Sequence, residues 1–119
     1  MAWEAVFYET ERGRNHVKRF LLSLSTQTRS KCAKYIAMLE EHGFGLPSQY
    51  LERVRGDIWA LRPEYGGNEY RIFFFLHRET NSFVLVHVVL KNTRRIDPDD
   101  IETAKNRMND WKLRQATKR

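Results

Sequence analysis

Three basic residues are the best candidates in this sequence for a chemical role. Each lies inside or at the end of an apolar segment. Arg62 ends one apolar segment, Arg71 lies within the next, and Lys91 ends the last. If these segments are neighbouring strands of one sheet, the cations meet on one face and form a concave basic site for a phosphate. Such a site suits RNA cleavage, because the ribose 2′-OH can itself attack the adjacent phosphate. The protein then needs only to orient the nucleotide and stabilise the developing negative charge.

The alternative interpretation gives these charges a structural role. A charge inside an apolar strand is costly unless it is paired or solvated. Arg71 could therefore pair with an acid such as Glu64 or Glu69, and Lys91 could simply end a strand. The residues alone leave both interpretations open.

Other kinds of catalytic site have little support in the sequence. Cys32 is the single cysteine and falls on the apolar face of a predicted helix, which favours a buried structural thiol. No serine lies in a G-x-S-x-G context, and there is no phosphate-binding loop or dinucleotide fingerprint. The histidines are scattered without metal-ligand spacing: His16, His42, His77 and His87. We therefore expect no metal ion and no cofactor.

Hydrophobic periodicity predicts the elements that must position the three cations. The length of 119 residues suits a single domain, 1–119. The predicted fold class is α+β, in the order β-α-α-β-β-β-α, with a small antiparallel sheet at its core. The elements are a strand over 3–8, a helical hairpin with apolar faces over 17–24 and 32–39, strands over 56–62, 69–77 and 83–91, a turn over 64–68, and a helix opening at Asp97.

The ends of the helices carry recognisable signals. The segment 23–28 offers N-caps for the second helix, and Gly43 stands where a helix commonly ends. Asp97 is a plausible N-cap for the last helix, and Pro98 suits its first position. The three consecutive strands 56–62, 69–77 and 83–91 form a predicted meander. Its second and third strands are apolar on both faces, which predicts a sheet covered on both sides. We expect the basic tail, 112–119, to fray.

The charge balance favours an anionic partner. Lys and Arg number 21 against 15 Asp and Glu, giving a net charge of +6, and nucleic acid is the first candidate. No apolar run approaches the roughly 20 residues of a membrane helix, and the N-terminus lacks the pattern of a signal peptide. The sequence thus predicts a soluble cytoplasmic domain with no membrane partner.

Five segments of the second half together resemble the RelE/ParE superfamily of toxins, and most closely its HigB-like, phage-derived branch. They are 56–62 (GDIWALR), 69–75 (EYRIFFF), 85–93 (LVHVVLKNT), Asp97-Pro98 and 101–107 (IETAKNR). The branch has patterns of the type L-R, Y-R-x-x-Y, K-K-T and P-x-x-E-I. The preceding β-α-α order agrees with the same fold, so the resemblance spans nearly the whole chain.

The resemblance implies the toxin of a type II toxin–antitoxin system. RelE-like members cut mRNA in the ribosomal A site, so the implied activity is a ribosome-dependent endoribonuclease that inhibits translation and arrests growth. The implied partners are the ribosome, mRNA and a cognate antitoxin, typically a helix-turn-helix, HigA-like protein that forms a hetero-oligomer with the toxin. ParE-like members, which inhibit DNA gyrase without a nuclease site, and a non-toxic nucleic-acid-binding module remain alternatives.

The resemblance also suggests roles for individual residues. Arg71 matches the arginine of Y-R and would position or stabilise the scissile phosphate, helped by Arg62 and Lys91. The remaining candidates are listed by role: Asn92, Thr93, Arg94 and Arg95 for binding RNA, and His87 and Tyr70 as possible acid or base. Asn92 stands where the family pattern has its second lysine.

Overall fold

One sheet with helices on both faces forms the body of the molecule. The structure, a computed structural model, describes residues 3–118. Its elements are β1 (Glu4–Phe7), α1 (His16–Ser23), α2 (Thr26–His42), β2 (Leu51–Arg55), β3 (Ile58–Leu61), β4 (Glu64–Tyr65), β5 (Asn68–His77), β6 (Ser82–Leu90) and α3 (Pro98–Thr117), with 3₁₀ turns at Gly43–Gly45 and Arg78–Thr80.

The sheet order is β1-β6-β5-β3-β2, and β4 pairs with β5 beside this path. β1 runs parallel to β6, and the other pairings are antiparallel. β4 and β5 form the hairpin predicted over 64–68. Its turn residues Gly66 and Gly67 have φ values of 60° and 84°, which glycine adopts without steric penalty.

Two hydrophobic cores lie on opposite faces of the sheet. On one face, α1 and α2 pack Leu21 and Leu39 against strand residues that include Phe74. On the other face, α3 packs Met108 against strand residues that include Phe73. Consecutive residues of a strand point to opposite faces, so a continuous run of buried aromatics requires cover on both sides. The predicted double cover is confirmed.

The helix caps follow the sequence signals. The side chain of Ser25 accepts a hydrogen bond from the N–H of Thr28 at the start of α2. The side chain of Asp97 accepts one from the N–H of Asp99 at the start of α3. Gly43 ends α2 with a φ of 57°, and a Cβ built there would lie 2.9 Å from the ring of Trp3. Both the backbone angle and this close contact require glycine at this position.

The element order has two strands more than predicted: β4, which takes up the first two residues of the predicted turn over 64–68, and β2. β2 pairs with β3 through a hairpin that carries a bulge between Arg53 and Arg55, and it was not predicted. This strand is short, lies at the edge of the sheet and carries three charges in five residues, so its apolar signal is weak.

The basic tail is also more ordered than predicted. α3 continues to Thr117, with Lys118 as its C-cap. Arg114 anchors this last part, because it bonds the carboxylate of Asp110 at 2.9 Å and donates to the carbonyl of Glu9. Arg119 lies outside the described residues.

Candidate nucleic-acid site at one end of the sheet

The three cations singled out in the sequence meet at one end of the sheet. Arg71 lies on β5 opposite Val89 of β6, while Arg62 directly follows β3 and Lys91 directly follows β6. The N–H of Lys91 donates to the carbonyl of Glu69 at 2.7 Å, which extends the pairing of β5 and β6 to this end. The sheet therefore brings Arg62, Arg71 and the backbone of Lys91 to one end, while the side chain of Lys91 lines a separate cavity with Thr93 and Arg95.

Arg71 is buried, and its guanidinium contacts three separate segments of this chain. It is 1% exposed. Its Nε donates to Oε1 of Glu52 at 2.7 Å, and its Nη2 lies 3.8 Å from Oε2 of Glu69. Its Nη1 donates to the carbonyls of Lys91 at 3.4 Å and Thr93 at 3.3 Å. Arg71 thus ties β2, β5 and the chain after β6 into one unit.

Arg62 shares the same two carboxylates but keeps contact with solvent. Its side chain is 31% exposed, and its Nη2 bonds Oε1 of Glu69 at 3.2 Å. Its Nε lies 3.9 Å from Oε1 of Glu52, and its Nη1 donates to the carbonyl of Ser48 at 3.3 Å. Two arginines and two glutamates therefore alternate and balance in charge. We call these four residues, Arg62, Arg71, Glu52 and Glu69, the charged cluster.

Exposed positive charge lies in the loop that follows β6. Arg94 and Arg95 are exposed, Lys91 is half-buried, and none of the three forms an ion pair within residues 3–118. Lys91, Thr93 and Arg95 line a cavity of about 310 Å³ beside the start of α3. We call residues 91–95 the basic loop. Its cations can bind phosphate oxygens, although the carboxylate of Asp97 lines the same cavity.

Hydrogen bonds with residues of β5 hold the backbone of the basic loop in place. The side chain of Asn92 accepts a hydrogen bond from the N–H of Glu69 at 2.8 Å and donates to the side chain of Asn68 at 3.1 Å. The hydroxyl of Thr93 donates to the carbonyl of Arg95 at 3.2 Å. Together with the bonds from Arg71, these contacts fix the loop backbone and leave its cationic side chains outside. Asn92 and Thr93 therefore have structural contacts of their own.

His87 lies on the α3 side of the sheet with both ring nitrogens engaged. Its Nε2 lies 2.9 Å from Oδ1 of Asp100, and its Nδ1 lies 3.4 Å from Nη1 of Arg107. Burial lowers the pKa of His87, and the hydrogen bond to Asp100 acts in the opposite direction. Because the arginine can only donate, Nδ1 is the acceptor and Nε2 carries the proton toward Asp100. This arrangement orients a neutral ring.

Tyr70 does not join the charged cluster. It is the neighbour of Arg71 along β5, so its side chain points to the opposite face. Its ring packs edge-on against Phe20 of α1, with centroids 6.4 Å apart. The structure thus places the two candidate acid or base residues, His87 and Tyr70, on different faces of the sheet.

Glu52 is the site residue that the sequence analysis missed. It lies on the unpredicted strand β2, opposite Ala60 of β3, and makes the shortest bond to Arg71. The sequence did indicate that such an acid was needed, because an arginine inside an apolar strand requires a carboxylate partner when it is buried. The acid predicted for this role was Glu64 or Glu69; Glu69 makes such a contact, whereas Glu64 is exposed on β4.

The described residues contain no group of three His, Cys, Asp or Glu side chains that could hold a metal ion. Cys32 is buried, and burial raises the pKa of its thiol to about 11, so it is a poor nucleophile. Within 3–118, no helix is long and apolar enough to cross a membrane.

Comparison with solved structures shows that this architecture is the fold of RelE toxins. The chain resembles a mutant of the Escherichia coli toxin RelE in its free state, with a TM-score of 0.62, 17% identity, and coverage of 90% of this chain and 98% of that one. It also resembles RelE in the archaeal RelE–RelB complex from Pyrococcus horikoshii, with a TM-score of 0.54, 15% identity, and coverage of 80% and 100%. The predicted resemblance to the RelE/ParE superfamily is confirmed.

The chain belongs to the family described as "Phage derived protein Gp49-like (DUF891)", whose model matches residues 19–109. That span includes the C-terminal part of α1, all of α2, the whole meander and most of α3. A search of curated proteins finds no match.

Proposed function

We propose that this protein is the toxin of a type II toxin–antitoxin system and that it stops translation by cutting mRNA on the ribosome. The fold of the RelE toxins and membership of a phage-derived family support this proposal. The observation that carries it is the basic loop, whose exposed cations are held on a rigid base at the end of the sheet. Rigid placement matters because fixed charges stabilise a transition state without reorganising.

In the proposed reaction, the 2′-OH of the substrate attacks the adjacent phosphorus atom, and the bond to the 5′-oxygen of the next nucleotide breaks. The products are a 2′,3′-cyclic phosphate and a 5′-hydroxyl, whose oxygen takes its proton from water or from a group of the ribosome. Lys91, Arg94 and Arg95 contact the phosphates, and the half-exposed Arg62 can join them. Removing one donor of this kind typically lowers the rate by about 10²–10³. Neither ring nitrogen of His87 is free, so we assign the proton of the 2′-OH to water or to a group of the ribosome.

Arg71 has a different role in this proposal from the one suggested by the sequence. It is buried beneath the basic loop, and all of its described contacts are to this chain. A phosphate could reach it only if the loop moved away. We therefore propose that Arg71 is a positioning residue, which acts through the carbonyls of Lys91 and Thr93.

The proposal includes a cognate antitoxin as partner. The archaeal RelE in the comparison was solved as a complex with RelB. For this chain we propose a helix-turn-helix, HigA-like antitoxin with an acidic segment that binds the basic loop by charge complementarity. Such a contact would cover the RNA-binding cations and weaken in high salt. Binding that is insensitive to salt would indicate that apolar contacts dominate instead.

A ParE-like inhibitor of DNA gyrase is the second candidate. It is favoured by the neutral balance of the charged cluster and by the engaged nitrogens of His87, because an inhibitor that only binds needs no acid, base or phosphate site. The protein would then inhibit gyrase by binding to it, without cleaving any substrate.

The two candidates can be separated by expressing the protein from an inducible promoter. A nuclease toxin should stop amino-acid incorporation and degrade messages before any response to DNA damage. The variant Arg94→Ala/Arg95→Ala should relieve growth arrest, and Arg12→Ala/Arg19→Ala, which removes the same charge elsewhere on the surface, should not. Early DNA damage with intact messages would favour gyrase, and normal growth at full expression would favour a non-toxic nucleic-acid-binding module.

A further inference from the structure

An exposed aromatic surface lies on the opposite face of the sheet from the charged cluster. Phe44 is 40% exposed. Its ring nevertheless packs against three others, with centroid distances of 4.8 Å to Trp59, 5.5 Å to Phe83 and 6.3 Å to Phe74. It sits in the 3₁₀ turn Gly43–Gly45, whose first residue adopts a φ of 57°. Phe44 is thus held rigidly by its neighbours while part of its ring stays in contact with water.

Two cavities meet at this aromatic surface. One of about 600 Å³ extends toward Arg78 and Lys112, and the other of about 370 Å³ extends toward Arg62. Both are lined by Phe44, Arg53 and Trp59. We call the continuous depression the hairpin groove, because it follows the β2–β3 hairpin. At one end it reaches the charged cluster, and from there the basic loop.

Two cations of the hairpin groove have no carboxylate partner within residues 3–118. Arg53 lies directly opposite Trp59 in the strand pairing and donates to the carbonyl of Gly56 at 3.0 Å. Arg78 is exposed at the far end. Neither forms an ion pair with a described residue. Three acids lie nearby: Glu52, which bonds Arg71, Asp57, which lies 3.6 Å from Lys112, and Glu79, which lines the larger cavity together with Arg78.

From this arrangement we infer that the hairpin groove binds single-stranded RNA. An unpaired base stacks on Phe44 and Trp59, and the flanking phosphates contact Arg53 and Arg78. Exposed aromatic rings interleaved with unpaired cations are the usual platform for single strands, because every base has a face that can stack. The inference rests on the proposed function for its RNA partner, and it extends the contact surface from the basic loop along the hairpin.

The test is a binding measurement that needs no cleavage and no ribosome. The probe is a fluorescent single-stranded 2′-O-methyl RNA of about ten nucleotides, which lacks the attacking hydroxyl, and affinity is read by anisotropy. Phe44→Ala should weaken binding about tenfold, and Phe44→Trp should restore it. Because Phe44 also touches the core, Arg53→Ala/Arg78→Ala serves as a second variant that leaves the core intact. Arg12→Ala/Arg19→Ala is the control matched in charge.

Weakening by both groove variants, with little effect of the control, would support the hairpin groove. A duplex of the same length should bind more weakly than the single strand, because its bases are already stacked. Cosedimentation with ribosomes, with and without a bound message, then identifies whether ribosomal RNA or mRNA occupies the groove.

Equal affinity of wild type and both groove variants, with circular dichroism showing intact folds, would overturn the inference. So would a purified antitoxin that binds wild type but not Phe44→Ala while RNA binding is unchanged, because the groove would then belong to the antitoxin. The uncleavable probe keeps these outcomes separate from the proposed nuclease activity, which can fail while the groove still binds RNA.

Discussion

Arg71 is the residue on which the charged end of the sheet depends. Its contacts reach β2 through Glu52, β5 through Glu69, and the basic loop through two backbone carbonyls. A buried guanidinium is stable only when it is paired and hydrogen-bonded, and here its partners come from three separate segments. The residue that looks most catalytic in the sequence is therefore the one that organises the local fold.

We predict that Arg71→Ala lowers the free energy of unfolding by about 2–3 kcal/mol. Breaking a buried ion pair typically costs about 3–5 kcal/mol, and the partial exposure of Glu52 and Glu69 reduces this. The double variant Arg71→Ala/Glu52→Gln should be less destabilised than Arg71→Ala, because one uncompensated charge is removed. Urea denaturation of the four members of this cycle measures both effects. Additive effects of the two substitutions would show that the Arg71–Glu52 bond has no energetic role.

A second residue-scale prediction concerns pH. Burial lowers the pKa of His87 in the folded state below the ordinary value of 6.5, so the unfolded chain binds the extra proton more readily. The stability is therefore greatest above pH 6.5 and falls as the pH drops below it. The pKa of His16 is lowered as well, chiefly by burial and then by Arg107, and gives the same sign.

His87→Gln should flatten this pH dependence in part, and His87→Gln/His16→Gln should flatten it further. The measurement is the urea midpoint between pH 5 and pH 8. A profile that is unchanged in the double variant would show that other groups cause the acid sensitivity.

At the scale of elements, the sequence was most informative where periodicity was strong and uninterrupted. The helical hairpin, the long strands β5 and β6 and the capped start of α3 were all predictable, since each carries an apolar pattern or a cap residue. β2 could not be recognised in the same way, because three of its five residues are charged and one of them, Glu52, has its partner only after the strands pair. Glu52 was missed for that reason, although the need for an acid beside Arg71 could be foreseen.

The candidate site was likewise predictable only in part. Strand order predicted that Arg62, Arg71 and Lys91 would come close together at one end of the sheet. The sequence could not predict which of the cations would be buried, because burial depends on how the basic loop folds over the sheet. The engagement of His87 with Asp100 and Arg107 likewise depends on the packing of α3 against β6.

The N-cap of α3 gives a prediction at this scale. Asp97→Ala should lower the free energy of unfolding by about 1 kcal/mol, because the N–H of Asp99 loses its acceptor. Asp97→Ser retains a capping oxygen and should lose much less. Thermal or urea unfolding compares the three proteins. If Asp97→Ala is as stable as wild type, the cap contributes nothing to the packing of α3.

At the scale of the whole molecule, the two helical layers determine which surfaces remain for contact. Exposed cations lie on the helices, among them Lys18, Arg19 and Lys34, and in loops. Because both faces of the sheet are largely covered, the positive charge that borders the sheet lies in the loops at the ends of strands and along the β2–β3 edge. We expect association with RNA to be governed by those loops and to depend strongly on salt.

This expectation can be quantified. If Lys91, Arg94 and Arg95 each neutralise one phosphate of a single strand, the logarithm of the affinity should fall with the logarithm of salt with a slope of about −2. Arg94→Ala/Arg95→Ala should reduce the size of that slope by about 1.4, measured by anisotropy across a salt series. The same slope in wild type and variant would place the phosphate contacts elsewhere.

The most direct test of the account is primer extension on a defined message in a purified translation system. The reactions contain wild-type protein with ribosomes, wild-type protein without ribosomes, Arg94→Ala/Arg95→Ala, and the control Arg12→Ala/Arg19→Ala. We predict new 3′ ends only with ribosomes, at codons in the A site, with strong loss in the loop variant and little loss in the control. An intact message in every reaction, from protein shown to be folded, would contradict the proposed nuclease and favour gyrase inhibition or binding alone.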